Sequence, residues 1–292
     1  MSREPFEALF EGAAHAGLLF GGLDIGIVPF AEFVPHFVEE LAAYMELSVS
    51  PTGALGVMTR GDGVDYTHRV ARHLEYFGAT ETQLRQLLVR AQHLEHRNLF
   101  FKLEIDHQGL AECSYYFRRR PTLDVAHAWL ADAGVEEPER RMIDAVAHVL
   151  SKQTVHFIAT SIGRDSASDK VYFSQAPSAD TWVRLAHAAE LLGVDDAWWP
   201  LAAQEGALRH QDTYLSFGYS DGKLLPTAKI DVAHPSEVAV DSLMLEVAGV
   251  AVTRERVDML LAATARQRPD YLGIRMRPDG RIELSAYATL TG

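Results

Sequence analysis

The amino-acid sequence predicts an α+β protein built as one closed, ten-stranded antiparallel β-barrel surrounded by helices, in five helix–helix–strand–strand repeats. Three observations predict it. Five tight-turn sequences each sit between two strand-like runs, the intervals between them carry helical periodicity, and the strands alternate apolar with polar or aromatic residues. The turns are SPTG (Ser50–Gly53), DHQG (Asp106–Gly109), GRDSASD (Gly163–Asp169), YSDGK (Tyr219–Lys223) and RPDG (Arg277–Gly280). Asp-Gly and Pro-Asp-Gly place residues that adopt positive φ at little cost, which is what a tight hairpin needs. Their centres fall near 52, 107, 166, 221 and 279, about 55 to 59 residues apart. A constant spacing of this size marks a structural repeat.

The elements follow in order. REPFEALFEGAAHAG and PFAEFVPHFVEELAAY read as two helices before the first hairpin. Thr80 caps ETQLRQLLVRAQHLEH, where Leu84, Leu87, Leu88, Ala91 and Leu94 form one apolar face. TLDVAHAWLADAG ends at Gly134, and EEPERRMIDAVAHVLSKQ follows with acids in its first turn, where the helix dipole favours them. A helix from a Ser178 cap to Gly193 and a shorter one in DDAWWPLAAQEG precede the fourth hairpin. PSEVAVDSLMLEVAGV and TRERVDMLLAATARQ supply the last pair. No Pro/Ser/Gly-rich linker interrupts the series, so residues 1–292 read as a single domain; a split into two α+β domains is the competing arrangement.

A ten-stranded barrel is too wide for side chains to fill and should hold a ligand. Its outer face meets the helical shell and should be apolar, so the polar parity of each strand points inward. That parity gives Glu46, Ser48, Ser50 and Arg60 in the first hairpin and Glu112, Ser114, Tyr116 and Arg118 in the second. Lys170, Tyr172 and Ser174 follow in the third, and Tyr214, Ser216, Thr227, Lys229 and Asp231 in the fourth. The fifth offers Tyr271, Arg275, Arg277, Glu283, Ser285 and Tyr287. Arg60, Lys170 and Lys229 are expected to converge on a polyanion such as a diphosphate through charge-assisted hydrogen bonds. Tyrosines around them present π-faces to a developing cation.

The order of elements resembles that of the ABBA-type, or PT-barrel, prenyltransferases, most of all the cyanobactin-type peptide prenyltransferases. The likeness shows in LDIGIVPFAEFVPHFVEELAAYMELS, IDHQGLAECSYYFRRRP, KVYFSQ and YLGIRMRPDGRIELSAY. It implies a prenyl diphosphate ionising inside the barrel, with the allylic cation captured by an aromatic or other nucleophilic side chain. On that resemblance Glu46 looks like the glutamate that assists the acceptor and Arg60 like the arginine of the next strand. Lys170 with Tyr172 matches a Lys-x-Tyr strand, and Lys229 the basic residue of the fourth hairpin. The diphosphate is therefore expected on Arg60, Arg118, Lys170, Lys229 and Arg275, and the cation among Tyr116, Tyr172, Tyr214 and Tyr287. Two positions depart from the pattern: Tyr116 and Glu283 stand where the family has bases. The expected donor is a dimethylallyl or geranyl diphosphate assisted by Mg²⁺, and the expected acceptor a ribosomally made peptide. The alternatives are a small aromatic acceptor and a non-catalytic barrel that binds an isoprenoid-like ligand.

Other functions are less well served. The formal net charge of −13 argues against a nucleic-acid partner. Hydrophobic residues at 48% and charged residues at 23% suit a globular protein with a substantial core. No apolar run approaches the roughly 18 residues of a membrane-spanning helix. The first residues lack a basic n-region, so a cytoplasmic location is expected. Cys113 is the only cysteine, which excludes a disulfide framework and reads as a small core residue. His93 and His96 lack the spacing of a zinc motif, as do His68 and His73. GLLFGGLDIG lacks the glycine order of a dinucleotide site, and RGDG reads as a turn. Trp129, Trp182, Trp198 and Trp199 fall at helical positions and are expected to pack on the barrel wall.

Overall fold

A computed structural model describes residues 36–290, apart from 52–53, 77–78, 82–83, 86–87, 89–98, 107–108, 118–119, 164–166, 203–204, 209, 247–249 and 252–253. Ten strands close into a barrel: β1 (Met45–Val49), β2 (Leu55–Gly61), β3 (Leu99–Asp106), β4 (Gly109–Phe117), β5 (Phe157–Gly163), β6 (Ala167–Gln175), β7 (Thr213–Ser220), β8 (Lys223–Ala233), β10 (Tyr271–Met276) and β11 (Ile282–Leu290). Each pairs antiparallel with its neighbours in this order, and β1 pairs with β11, Glu46 opposite Thr289 and Ser48 opposite Tyr287. Closure leaves the ten-stranded ring without a free edge. An eleventh, two-residue strand, β9 (Val250–Ala251), lies parallel to β11 beside Glu283 and Leu284 and is absent from the expected elements.

All five hairpins form at the expected turns. Between β7 and β8 the loop is the dipeptide Asp221-Gly222, with φ of 50° and 76°. Two positive φ values make this the turn whose twist matches the strands it joins.

Alternation does the rest. Leu47, Val57, Phe101, Leu103, Phe173, Leu215, Ile230, Ile274 and Leu284 all point outward and are buried beneath helices. The helices return apolar residues to the same layer: Tyr66 and Val70 from Val64–Tyr76, Trp129 from Leu123–Asp132, Ile143 and Val146 from Glu137–Val149, Trp182 and Leu185 from Thr181–Leu191. Each such side chain contributes about 1.5–3 kcal/mol, so stability resides in this shell and the lumen is free to be polar. The expected tryptophan packing holds for Trp129, Trp182 and Trp198. Cys113 is buried in the same layer, where burial pushes its thiol pKa up and leaves it protonated.

Several polar groups in the shell are paired, as burial favours. Trp129 Nε1 donates to Asp169 Oδ1 at 3.0 Å, and Thr160 Oγ1 donates to the same oxygen at 2.7 Å. The Thr67 and Tyr115 hydroxyls meet at 2.8 Å. Thr122 and Ser236 cap their helices by accepting from Val125 N and Ala239 N. Ser178 does not cap as expected. The helix begins at Thr181, and the Ser178 hydroxyl instead meets Thr181 Oγ1 at 2.8 Å, a local side-chain bond that competes with capping. The expected helix at 3–17 lies outside the described residues, as do most of 81–96 and 29–37, although Val38–Ala43 is helical.

Replacing Gly222 by Ala puts a side chain at φ +76°, with its Cβ 2.8 Å from the carbonyl oxygen of Gly134. The expected cost is about 1–3 kcal/mol, read as a lower denaturation midpoint with an unchanged m-value.

Candidate active site

The inward side chains divide the lumen into two connected compartments. One, of about 210 Å³, is walled mostly by aromatic rings: Tyr44, Phe100, Tyr116, His156, Phe157, Tyr172, Tyr214, Tyr271 and Tyr287, with Glu46, Met58, Arg60 and Asp231 among them. The other, of about 680 Å³, is charged and carries Glu104, Glu112, Lys170, Arg275, Arg277, Arg281 and Glu283. Lys102, Tyr116, Tyr172, Lys229 and Tyr287 line both and form the waist between them.

Glycines on neighbouring strands make room for the lysines. A Cβ on Gly56 would lie 2.6 Å from Lys102 Cε, one on Gly273 2.7 Å from Lys229 Cε, and one on Gly218 3.2 Å from Lys170 Cγ. Each lysine stem therefore lies flat over a strand at a place where no side chain stands. A glycine inside a strand often marks such a close approach.

Every one of these bases has an acid partner. Lys102 is paired with Glu104. Lys170 Nζ donates to Ser161 Oγ at 2.9 Å and to Glu112 Oε1 at 3.4 Å. Lys229 Nζ donates to Tyr287 Oη at 2.6 Å and stands 2.6 Å from Asp231 Oδ1, a close ion pair without hydrogen-bond alignment. Arg277 Nε donates to Glu283 Oε1 at 2.7 Å, with Arg275 Nη1 3.5 Å from Oε2. Burial alone would lower the lysine pKa values, but the carboxylates outweigh it and hold Lys102 and Lys229 above the usual range. Glu112 sits deep in the barrel, yet its side chain is 31% exposed to the open lumen. Burial pushes its pKa up, and Lys170 and the Ser114 hydroxyl, with Lys102 and Arg275 beyond, bring it well below the ordinary value.

Glu46 behaves oppositely. It is 5% exposed, and burial pushes its pKa up to about 7 against the pull of Lys102 and of a hydrogen bond from Tyr44 Oη to Oε2 at 3.0 Å. Around it the rings form a cage. Tyr116 and Tyr172 have centroids 5.9 Å apart, Phe157 and Tyr172 5.8 Å, and Tyr44 and Phe100 5.4 Å. Burial raises the Tyr116 and Tyr172 pKa values so far that both stay neutral. At the waist Lys102 Nζ and Lys229 Nζ lie 5.2 and 4.7 Å from the centroid of the Tyr287 ring.

Most of the residues expected to face a cavity do so. Glu46, Tyr116, Tyr172, Tyr214 and Tyr287 line the aromatic compartment, Lys170 and Arg275 the charged one, and Lys229 both. Arg118 lies outside the described residues. Arg60 is a correction. It lines the aromatic compartment near the end of β2, opposite Phe100, and does not join Lys170 among the residues of the charged one. Glu283, where a base was expected, is clasped by two arginines and so does not stand as a bare negative charge. Lys102 was missed, with Phe100, Glu104 and Phe157. The alternation Phe100, Lys102, Glu104 in LFFKLEID was the signal that could have found the first three.

A magnesium ion wants near-octahedral oxygen coordination. Among the described residues no group of three or more His, Cys, Asp or Glu side chains could hold a metal ion. The lumen carboxylates already face lysines and arginines, so the residues present do not fit a protein-held Mg²⁺.

The fold and lumen define a class, the ABBA or PT-barrel fold. No protein-family model matches the chain, and no curated protein matches its sequence significantly. Solved structures do match. The 5-dimethylallyltryptophan synthase from Streptomyces coelicolor is 14% identical, covers 97% of this chain over 97% of its own, and superposes with a TM-score of 0.66. The prenyltransferase PriB, in a ternary complex with L-tryptophan and dimethylallyl thiolodiphosphate, gives 13% identity, 97% and 95% coverage, and a TM-score of 0.67. NotF in complex with brevianamide F and DMSPP gives 11% identity, 97% and 92% coverage, and a TM-score of 0.62. At such identities the likeness shows the fold.

The Glu46 carboxyl is expected to titrate near pH 7 in a ¹³C NMR titration of labelled glutamate. Tyr44→Phe removes a hydrogen bond that favours the ionised form, so the midpoint is expected to move higher in the variant.

Proposed function

We propose that the protein is a prenyltransferase that moves a dimethylallyl or geranyl group from an allylic diphosphate to an aromatic or nucleophilic side chain. The observation that carries this reading is the waist. There a buried lysine, a half-buried one and three tyrosines separate a compartment of bases from an aromatic cage containing a buried carboxyl of raised pKa.

In this reading the diphosphate lies among Lys102, Lys170, Lys229 and Arg275. The allylic C–O bond breaks, and the electron pair leaves with the diphosphate oxygen, whose growing charge the bases stabilise in a site of low dielectric. The cation lies against Tyr116, Tyr172 and Tyr287, with Tyr214 further into the cage, and the ring-walled compartment keeps water from it. The acceptor's nucleophilic atom forms the new bond to carbon, and its proton passes to ionised Glu46. Arg60 lies on the acceptor's side and meets the acceptor's polar groups. No step is drawn through magnesium.

A ribosomally made peptide is the preferred acceptor, supported by the stretches that resemble the cyanobactin-type enzymes. A small aromatic acceptor is the second reading. PriB and NotF, whose folds the chain shares, bind L-tryptophan and brevianamide F. A barrel that binds without catalysis is the third, favoured by the pairing of the lumen bases with carboxylates.

Incubation with dimethylallyl or geranyl diphosphate, together with tryptophan and a peptide panel, should give prenyl adducts by mass spectrometry. No adduct with any pair, together with no donor binding by calorimetry, overturns the proposal. Turnover should rise with pH through about 7 as Glu46 ionises. Glu46→Gln should lower turnover by about 10²-fold or more with donor affinity kept. Lys229→Met should weaken donor binding by roughly 10- to 100-fold, the worth of a charge-assisted hydrogen bond.

A further inference from the structure

Two carboxylates in the charged compartment sit where an anionic ligand would be held. Glu112 Oε1 accepts from Ser114 Oγ at 2.7 Å and from Lys170 Nζ at 3.4 Å, while Ser161 Oγ ties Ser114 and Lys170 into one ring at 2.7 and 2.9 Å. Three strands contribute to that ring: β4, β5 and β6. Across the compartment, on β11, Glu283 accepts from Arg277 through Oε1 and from Arg275 through Oε2. Both carboxylates thus make the contacts that phosphate oxygens make with Lys, Ser and Arg.

The register around them sets Arg275 opposite Glu283 on one side, but it also sets like charges against each other. Glu112 stands directly opposite Glu104, and Arg275 directly opposite Lys229. Like charges face to face across a ladder destabilise it. Each needs a counter-charge, and the chain supplies its own.

We infer that Glu112 and Glu283 are internal stand-ins for the donor's diphosphate, so that donor binding is an exchange of anions. This rests on the diphosphate reading above. In the free protein the two carboxylates hold Lys170, Arg275 and Arg277 in place and keep the cavity near charge balance. An incoming diphosphate takes over those donors and turns the carboxylates out into the wet lumen. Partly exposed ion pairs are weak, so exchange with a multiply charged diphosphate is favourable. The same pairs oppose retention of the inorganic diphosphate left after transfer, because the carboxylates compete for its bases.

The probe is inorganic pyrophosphate, titrated by calorimetry in metal-free buffer into the wild-type protein and into Glu112→Gln and Glu283→Gln. Removing a competing anion should tighten pyrophosphate binding by about 3- to 10-fold in each variant and lower the concentration at which pyrophosphate inhibits transfer. Lys170→Met should weaken binding. Glu112→Asp and Glu283→Asp, which keep the charge on a shorter arm, serve where a glutamine variant fails to fold. They should bind more tightly than wild type by a smaller factor. A merely structural role for the carboxylates predicts weaker binding in all four. If the wild type binds pyrophosphate and the variants bind equally or less tightly, the exchange is wrong and the diphosphate reading stands. If neither wild type nor variants bind pyrophosphate and no adduct forms, both fall together.

Discussion

The structure depends on the two-residue alternation of a sheet that closes on itself. Each strand must send successive side chains to opposite faces, and pairing of β1 with β11 turns those faces into an outside and an inside. Outside, Leu47, Phe101, Phe173 and Ile230 meet a helical shell and are fully buried. Inside, Glu46, Lys102, Lys170 and Lys229 occupy the opposite parity of the same strands. A slip of one residue in β3, β6 or β8 would bury a lysine under helices and put apolar side chains into the lumen. The shell's apolar burial therefore also determines which residues compose the site.

This explains what was legible in the sequence. The turns, the repeat and the parity are local signals, and they were sufficient to place Glu46, Tyr172, Lys170, Lys229 and Tyr287 on the inner face. Depth along the barrel axis is not a local signal. It depends on strand stagger, which follows from register across all ten strands. Arg60 and Lys170 share the inner parity but line different compartments for that reason. Lys102 escaped for another reason. LFFKLEID begins with two phenylalanines, one outward at Phe101 and one inward at Phe100, and the apolar cage hides the alternation there. β9 has only two residues and leaves no pattern to read.

The lumen also shows how neighbours, more than burial, decide the state of a charged group. Glu46 and Glu112 are both carboxyls deep in the same barrel. Glu46 faces a phenol and rings, and Lys102, one hydrogen bond and the more distant Lys229 do not outweigh its desolvation, so its pKa rises to about 7. Glu112 faces Lys170, Ser114 and more distant bases, and desolvation loses. Two carboxyls with pKa values driven apart by environment are the pattern by which one cavity supports both proton transfer and charge storage. On the aromatic side a carboxyl poised near neutrality suits a proton acceptor. On the charged side a carboxylate that stays ionised suits a counter-ion.

The glycines complete the argument, because they explain how charged side chains are held without filling the cavity they serve. A lysine carries roughly 2 kcal/mol of rotamer entropy, and a lysine free to wander in a wide lumen would lose it on meeting a ligand. Gly56, Gly218 and Gly273 let the stems of Lys102, Lys170 and Lys229 lie against neighbouring strands, while Glu104, Glu112 and Asp231 engage their ends. Much of the ordering cost is then met during folding, by the same shell that closes the barrel. The arrangement is preorganised in its stems and exchangeable at its tips. On the proposed function the site grips a highly charged leaving group and then releases it, and that needs both properties at once.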